Sequence, residues 1–156
     1  MMTEQAILPL ILVVDDNEQN LELILACLEE VECRTLSAAD GQEALESVKA
    51  GKPDLILLDV MMPRMSGFEV CRRLKNDEQT ADIPIIMVTA LNEMGDIERA
   101  IQSGTDDFVS KPINKWELVT RVRTMLKLKH LSDKLERTLA YLSEVEKTSQ
   151  QPVREE

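Results

Sequence analysis

The chain has 156 residues, of which 44% are hydrophobic, 30% charged and 3% aromatic, which suits one domain with an aliphatic core and some excess length rather than two domains. Its net charge of −11 is unevenly spread: residues 1–126 hold 12 Lys and Arg against 23 Asp and Glu, whereas residues 127–156 hold six of each. So acidic a domain excludes direct binding to nucleic acid or to an anionic membrane, both of which need a basic face, and it suits a site for a divalent cation.

The first apolar run, Ile7 to Val14, is broken by Pro9 and is far too short to cross a bilayer. With no basic flank ahead of it and no small-residue cleavage site behind it, it is not a signal peptide, and a cytoplasmic protein is expected. Its core, LILVV (10–14), reads as a strand that ends on the adjacent acids Asp15 and Asp16. Taken alone, acids before a helix read as a cap. A helical pattern follows at 17–30, with Leu21, Ile24, Leu25 and Leu28 on one face. Next come a strand CRTLS (33–37), a helix at 41–51, and the strand DLILL (54–58), which runs into Asp59 within LILLDVMMPRMSG. A carboxylate beside a strand buried on both faces is expensive and calls for a reason. A helix at 66–76, a strand PIIMV (84–88) running into Thr89, a helix at 93–103 and a strand DFVS (107–110) running into Lys111 complete the series. Short loops carrying Gly or Pro separate these elements. The alternation predicts an α/β fold, a doubly wound parallel sheet with helices on both faces, in which ligands sit at the carboxyl ends of the strands.

The last segment differs, having no Gly or Pro from Asn114 to Gln151. Asn114 with Glu117 three residues on forms a capping-box pattern. A helix over the whole segment would span roughly 55 Å at 1.5 Å per residue. Leu118, Val119, Val122, Met125 and Leu126 give its first part the face of a packed helix, and Trp116 is expected to pack at its start. Beyond, Leu128, Leu131, Leu135, Leu142 and Val145 fit a heptad seam with Thr138 in one place, which predicts either a short coiled coil or a solvated helix. The expected organisation is a domain over 1–128, a helical extension over 129–147 and a disordered tail over 148–156.

Adjacent parallel strands end on the same side of a sheet, so Asp15, Asp16 and Asp59 should meet in one pocket. Like charges at that range raise one another's pKa unless a cation lies between them. Oxygen-only ligands favour a hard cation, Mg²⁺ or Mn²⁺. The Thr89 hydroxyl and the Lys111 ammonium should reach the same edge. Carboxylate, metal, hydroxyl and ammonium around one point form a clamp for a phosphoryl group, with a carboxylate as nucleophile.

DD after the first strand, LLDVMMPRMSG at the third, TA at the fourth and KP at the fifth resemble the receiver domain of bacterial two-component response regulators, from about Leu10 to Leu128. That resemblance implies the five-stranded flavodoxin-like sheet of order 2-1-3-4-5. It also implies that Asp59 accepts a phosphoryl group from a sensor histidine kinase or a phosphotransfer protein. Asp16, Asp59 and the backbone carbonyl of Met61 would hold Mg²⁺ directly, and Asp15 would hold it through water. Lys111 would contact the phosphoryl group, Lys111–Pro112 would be cis, and Thr89 and Phe108 would form a switch pair. Output would pass through the 93–126 face to a downstream protein, or through a homodimer formed by that face or by the C-terminal helix.

Two departures are informative. Met61 and Leu91, each two residues beyond Asp59 and Thr89 respectively, are apolar and should position a hydrolytic water poorly, which predicts a long-lived phosphoryl aspartate. Phe108 has no hydroxyl, so its ring can only pack, and an ordinary core role competes with the switch role. Cys27, Cys33 and Cys71 lack metal-ligand spacing and read as buried free thiols. His130 reads as a surface residue, and Met61, Met62 and Met65 as loop and core filler. A metal-dependent phosphatase would need an acid where Met61 stands. A structural module that never takes phosphate would not need all five chemical positions. The tail LKHLSDKLERTLAYLSEVEK is similar to connector helices that lead from receivers to enzymatic outputs, so a piece of a longer regulator is an alternative.

Overall fold

The computed structural model describes residues 7–90 and 94–149. Ten elements alternate strictly: β1 (Leu10–Val14), α1 (Glu18–Leu28), β2 (Arg34–Ala38), α2 (Gly41–Ala50), β3 (Leu55–Asp59), α3 (Gly67–Lys75), β4 (Ile85–Thr89), α4 (Met94–Ser103), β5 (Asp107–Ser110) and α5 (Lys115–Ser149). The five strands form one parallel sheet of order β2-β1-β3-β4-β5. β2, β3 and β4 each begin one residue later than the apolar runs suggest. At β3 the residue before the strand, Asp54, uses its side-chain carboxylate to accept the Leu10 N–H and so serves as a strand-end cap.

Side chains alternate across the sheet and fill two cores. Leu12, Val14, Ile56, Leu58, Ile85 and Met87 pack under α2, α3 and α4. Ile11, Val13, Leu55, Leu57, Ile86 and Val88 pack under α1 and α5. β3 and β4 are buried along their whole length, as continuous apolar runs between two helical layers should be. Edge strand β2 is buried only at Ala38.

Capping fixes where the helices start. Asn17, Asp40, Ser66 and Asn114 each accept an N–H three residues on, from Asn20, Glu43, Glu69 and Glu117. The cap of α1 is thus Asn17, which leaves Asp15 and Asp16 to other uses. α5 runs unbroken through Leu128 to Ser149, two residues into the segment expected to be disordered; residues 150–156 of that segment, and Leu91, lie outside the described residues.

Two smaller expectations change, at Trp116 and Cys33. Trp116 is 77% exposed and does not pack at the start of α5, because the buried line of that helix is Leu118, Val119 and Val122 and Trp116 falls off it. Met61 is also 77% exposed, whereas Met62 enters the core. Cys27 and Cys71 are buried free thiols, but Cys33 is only half-buried, since it precedes the edge strand. No helix among the described residues is long and apolar enough to cross a membrane.

Candidate functional site

The pairing of Val14 with Leu58 and of Asp59 with Val88 brings the ends of β1, β3 and β4 level. Asp15, Asp16 and Asp59 therefore converge, with one carboxylate oxygen of each within 4.8 Å of the others. Asp15 is 0% and Asp59 4% exposed, while Asp16 faces solvent. β5 supplies the cation: the Lys111 N–H donates to the Thr89 carbonyl (3.0 Å), and its Nζ reaches Asp59 Oδ1 at 3.2 Å and Asp15 Oδ2 at 3.3 Å. The Lys111–Pro112 peptide is cis. Asp15 also accepts the Asn17 N–H at 2.9 Å, which fixes its carboxylate against the start of α1.

One ammonium thus pairs with two of three clustered carboxylates. Burial pushes the Asp59 carboxyl up from its ordinary value, and the neighbouring Asp15 charge adds to the push, while Lys111 only partly offsets them. Burial works against the Lys111 ammonium too, yet the Asp59 and Asp15 carboxylates outweigh it and hold its pKa above the usual lysine range. A site with surplus buried negative charge and only oxygen donors fits a hard divalent cation.

Thr89 is buried at the end of β4, one residue beyond the partner of Asp59. Phe108 pairs in register with Met87 and packs, half-buried, against the core beneath α2, α3 and α4. Asp15, Asp16, Asp59, Thr89 and Lys111 therefore lie at the carboxyl edge of the sheet, with Met61 in the loop that leaves Asp59.

By its sequence Gly67 reads only as a loop marker. It opens α3, donates its N–H to the Val60 carbonyl at 2.9 Å, and lies so close to the chain that a methyl group there would overlap the Asp59 carbonyl oxygen and stand 2.8 Å from Val60 Cα. Gly67 therefore sets how tightly the loop folds back behind Asp59. The available signal was a glycine directly after a Ser cap, eight residues past the acid. Within the same loop Arg64 takes a positive φ of 69° and lies 4.0 Å from Asp40.

Comparison with known proteins places this geometry in context. Residues 11–123 match the family described as "Response regulator receiver domain". Response regulator PleD of Caulobacter vibrioides is 46% identical over 125 residues, which cover 80% of this chain and 28% of that protein. The phosphate regulon transcriptional regulatory protein PhoB of Pseudomonas aeruginosa is 44% identical over 117 residues, 75% of this chain and 51% of that protein. The chain thus spans about a quarter to a half of the length of these relatives. Among solved structures, the receiver domain of a signal transduction histidine kinase from Syntrophus aciditrophicus superposes with a TM-score of 0.73 at 35% identity, covering 76% of this chain and 90% of that one.

Proposed function

This chain belongs to the response regulator receiver domain family, and from that premise we propose that it is a phosphorylation-controlled switch whose phosphoacceptor is Asp59. The observation that carries the reading is the charge imbalance: the buried Asp15 and Asp59 and the exposed Asp16 converge, and the one ammonium at the site, Lys111, pairs with Asp15 and Asp59 only. An Asp59 oxygen attacks phosphorus in line, the bond to the donor nitrogen or oxygen breaks, and the donor leaves with that electron pair. Lys111, already 3.2 Å from Asp59, would then bind a phosphoryl oxygen. Asp16, Asp59 and the Met61 carbonyl would hold Mg²⁺, or Mn²⁺, with Asp15 acting through water. When bound, the ion offsets charge on the transferring oxygens. The donor would be a histidine kinase or a phosphotransfer protein, and the chain would act on its own side chain without turnover of a substrate.

Once formed, the phosphoryl group gives the Thr89 hydroxyl a new partner, and Phe108 would follow it inward, changing the 93–126 face presented to a downstream protein. Moving such an equilibrium from 1:99 to 99:1 needs about 5.5 kcal/mol, within reach of several charge-assisted bonds to one phosphate. The exposed apolar Met61 offers nothing to orient a water, so the phosphoryl aspartate should be long-lived; a half-life of seconds would overturn that point. A second reading, favoured by the continuity of α5 past the sheet and by the greater length of the relatives, makes α5 the connector to an output unit.

Intact mass after incubation with acetyl phosphate tests the main reading. One added phosphoryl group that requires Mg²⁺ and is absent in Asp59→Asn is the expected result. Phosphoryl incorporation in Asp59→Asn equal to that of the unaltered chain would sink the assignment.

A further inference from the structure

The body of the protein ends on α5 at Met125 and Leu126, which still pack against the core. Lys129 makes the last ionic contact with the sheet end, at 3.1 Å from Asp82. From Lys127 to Ser149 the helix continues for about 35 Å at 1.5 Å per residue. Leu128, Leu131, Leu135, Leu142 and Val145 along it are 44–58% exposed. They repeat at alternate spacings of three and four residues, with Thr138 in the remaining place, and so form one continuous line on the helix.

The direction of that line matters more than its composition. At 3.6 residues per turn it lies roughly half a turn away from Val122, Leu126 and Lys129, the side that meets the body. The protein's own domain therefore cannot cover it. Toward the N-terminus the same line reads Glu117, Arg121 and Thr124, and Arg121 is held by Asp107 at 2.9 Å and by Glu117 at 3.3 Å. The apolar seam begins where this polar stretch ends.

We infer that the seam from Leu128 to Val145 pairs with the same seam of a second copy, in a parallel two-helix coiled coil. Three observations favour this occupant. First, a seam pointing away from the body puts the two bodies on opposite outer sides of the helix pair. Each body carries the whole −11 surplus, and residues 127–156 carry six charges of each sign, so the copies meet where they do not repel. Second, the flanking positions of a parallel pair bring no like charges together: Lys134 lies beside Leu139 of the other copy, its methylenes covering an apolar side chain, and Tyr141 lies beside Glu146. Third, Thr138 brings no unpaired hydroxyl into the seam, because its Oγ1 donates to the Lys134 carbonyl at 2.9 Å. The inference does not depend on the phosphoacceptor assignment, since none of these residues lies near the carboxylates.

Sedimentation equilibrium of the full chain, without any phosphoryl donor, is the test. The mass should rise from 17.7 kDa toward twice that value as concentration rises from about 1 μM to about 1 mM. Leu135→Glu with Leu142→Glu should stay monomeric throughout while keeping the circular dichroism of the folded sheet. Thr138→Leu should tighten association about ten-fold, as removing a polar seam residue does. A monomeric unaltered chain at every concentration, or a dimer that survives the double substitution, overturns the inference. Leu128→Cys reads direction: disulfide cross-linking of this single variant supports the parallel arrangement, and cross-linking only when Val145→Cys is added overturns it.

Discussion

The two ends of the sheet use the same residue types to opposite effect. At the amino end the carboxylates of Asp54, Asp82 and Asp106 are matched. Asp54 caps the Leu10 N–H. Asp106 accepts both the Ile85 N–H and the Lys75 ammonium at 2.8 Å, and Lys75 also donates to the carbonyls of Ala81 and Ile83. Asp82 lies 3.0 Å from Lys52 and 3.1 Å from Lys129. At the carboxyl end Asp15 and Asp59 share Lys111, and Asp16 clusters with them. Burial pushes against ionisation at both ends, but at Asp82 the two lysines prevail and its pKa falls, whereas at Asp59 burial and the Asp15 charge prevail and its pKa rises. Matched acids hold the fold together; the unmatched set leaves surplus negative charge of the kind that fits a hard cation.

The largest effect that would sharpen this contrast is kinetic. Lys111→Ala should slow phosphoryl transfer from acetyl phosphate by about 100-fold, the usual loss when one charge-stabilising donor is removed, as read by the rate of mass gain. Lys75→Met, at the matched end, should leave that rate within two-fold, taken as roughly the scatter of such comparisons. An equal loss in both variants would break the distinction.

Gly67→Ala should destabilise the protein by about 2–3 kcal/mol, because the new methyl meets backbone rather than a side chain that can yield. In a chain of this length that lowers Tm by roughly 4–12 °C. It should also weaken Mg²⁺ binding, since the loop behind Asp59 must move; unchanged stability would show that the close approach is relieved cheaply.

Mg²⁺ at about 100 times its Kd should stabilise the folded chain by about 2.7 kcal/mol, a Tm rise of several degrees. Asp59→Asn should lose most of that rise, and Asp82→Asn should keep it. A Mg²⁺ response that is the same in all three would place the ion elsewhere.

The smallest effect is a difference of sign. Without Mg²⁺ at neutral pH, Asp59→Asn should raise Tm and Asp82→Asn should lower it, the latter by less than about 1 kcal/mol because Asp82 is half exposed. The folded pKa of Asp59 lies above its unfolded value, so its ionisation opposes folding above the unfolded pKa and the penalty disappears as pH falls through the folded pKa. The folded pKa of Asp82 lies below its unfolded value, so its contribution is present above the unfolded pKa and lost as pH falls through the folded one. Melting curves of the two variants between neutral and acid pH should therefore converge on the unaltered chain from opposite sides. Both variants moving Tm in the same direction would erase the contrast.

Much of this was legible in the residues themselves. Alternation of apolar runs with helix-period segments determined a parallel α/β sheet, and parallel strands that end in DD, D, T and K bring those groups to one edge whatever the details of packing. The Asn114 cap and the absence of Gly and Pro beyond it determined a long last helix. Other features needed three dimensions because they depend on what lies across space, not along the chain. Nothing local marks Trp116 as exposed; that follows from which side of α5 meets α1 and the sheet. The role of Gly67 follows from a backbone eight residues earlier returning against it. Asp59 stands out in sequence because it ends a buried strand, whereas Asp54, Asp82 and Asp106 precede strands; that these three hold the sheet's amino end shows only in the lysines and N–H groups that the fold delivers to them.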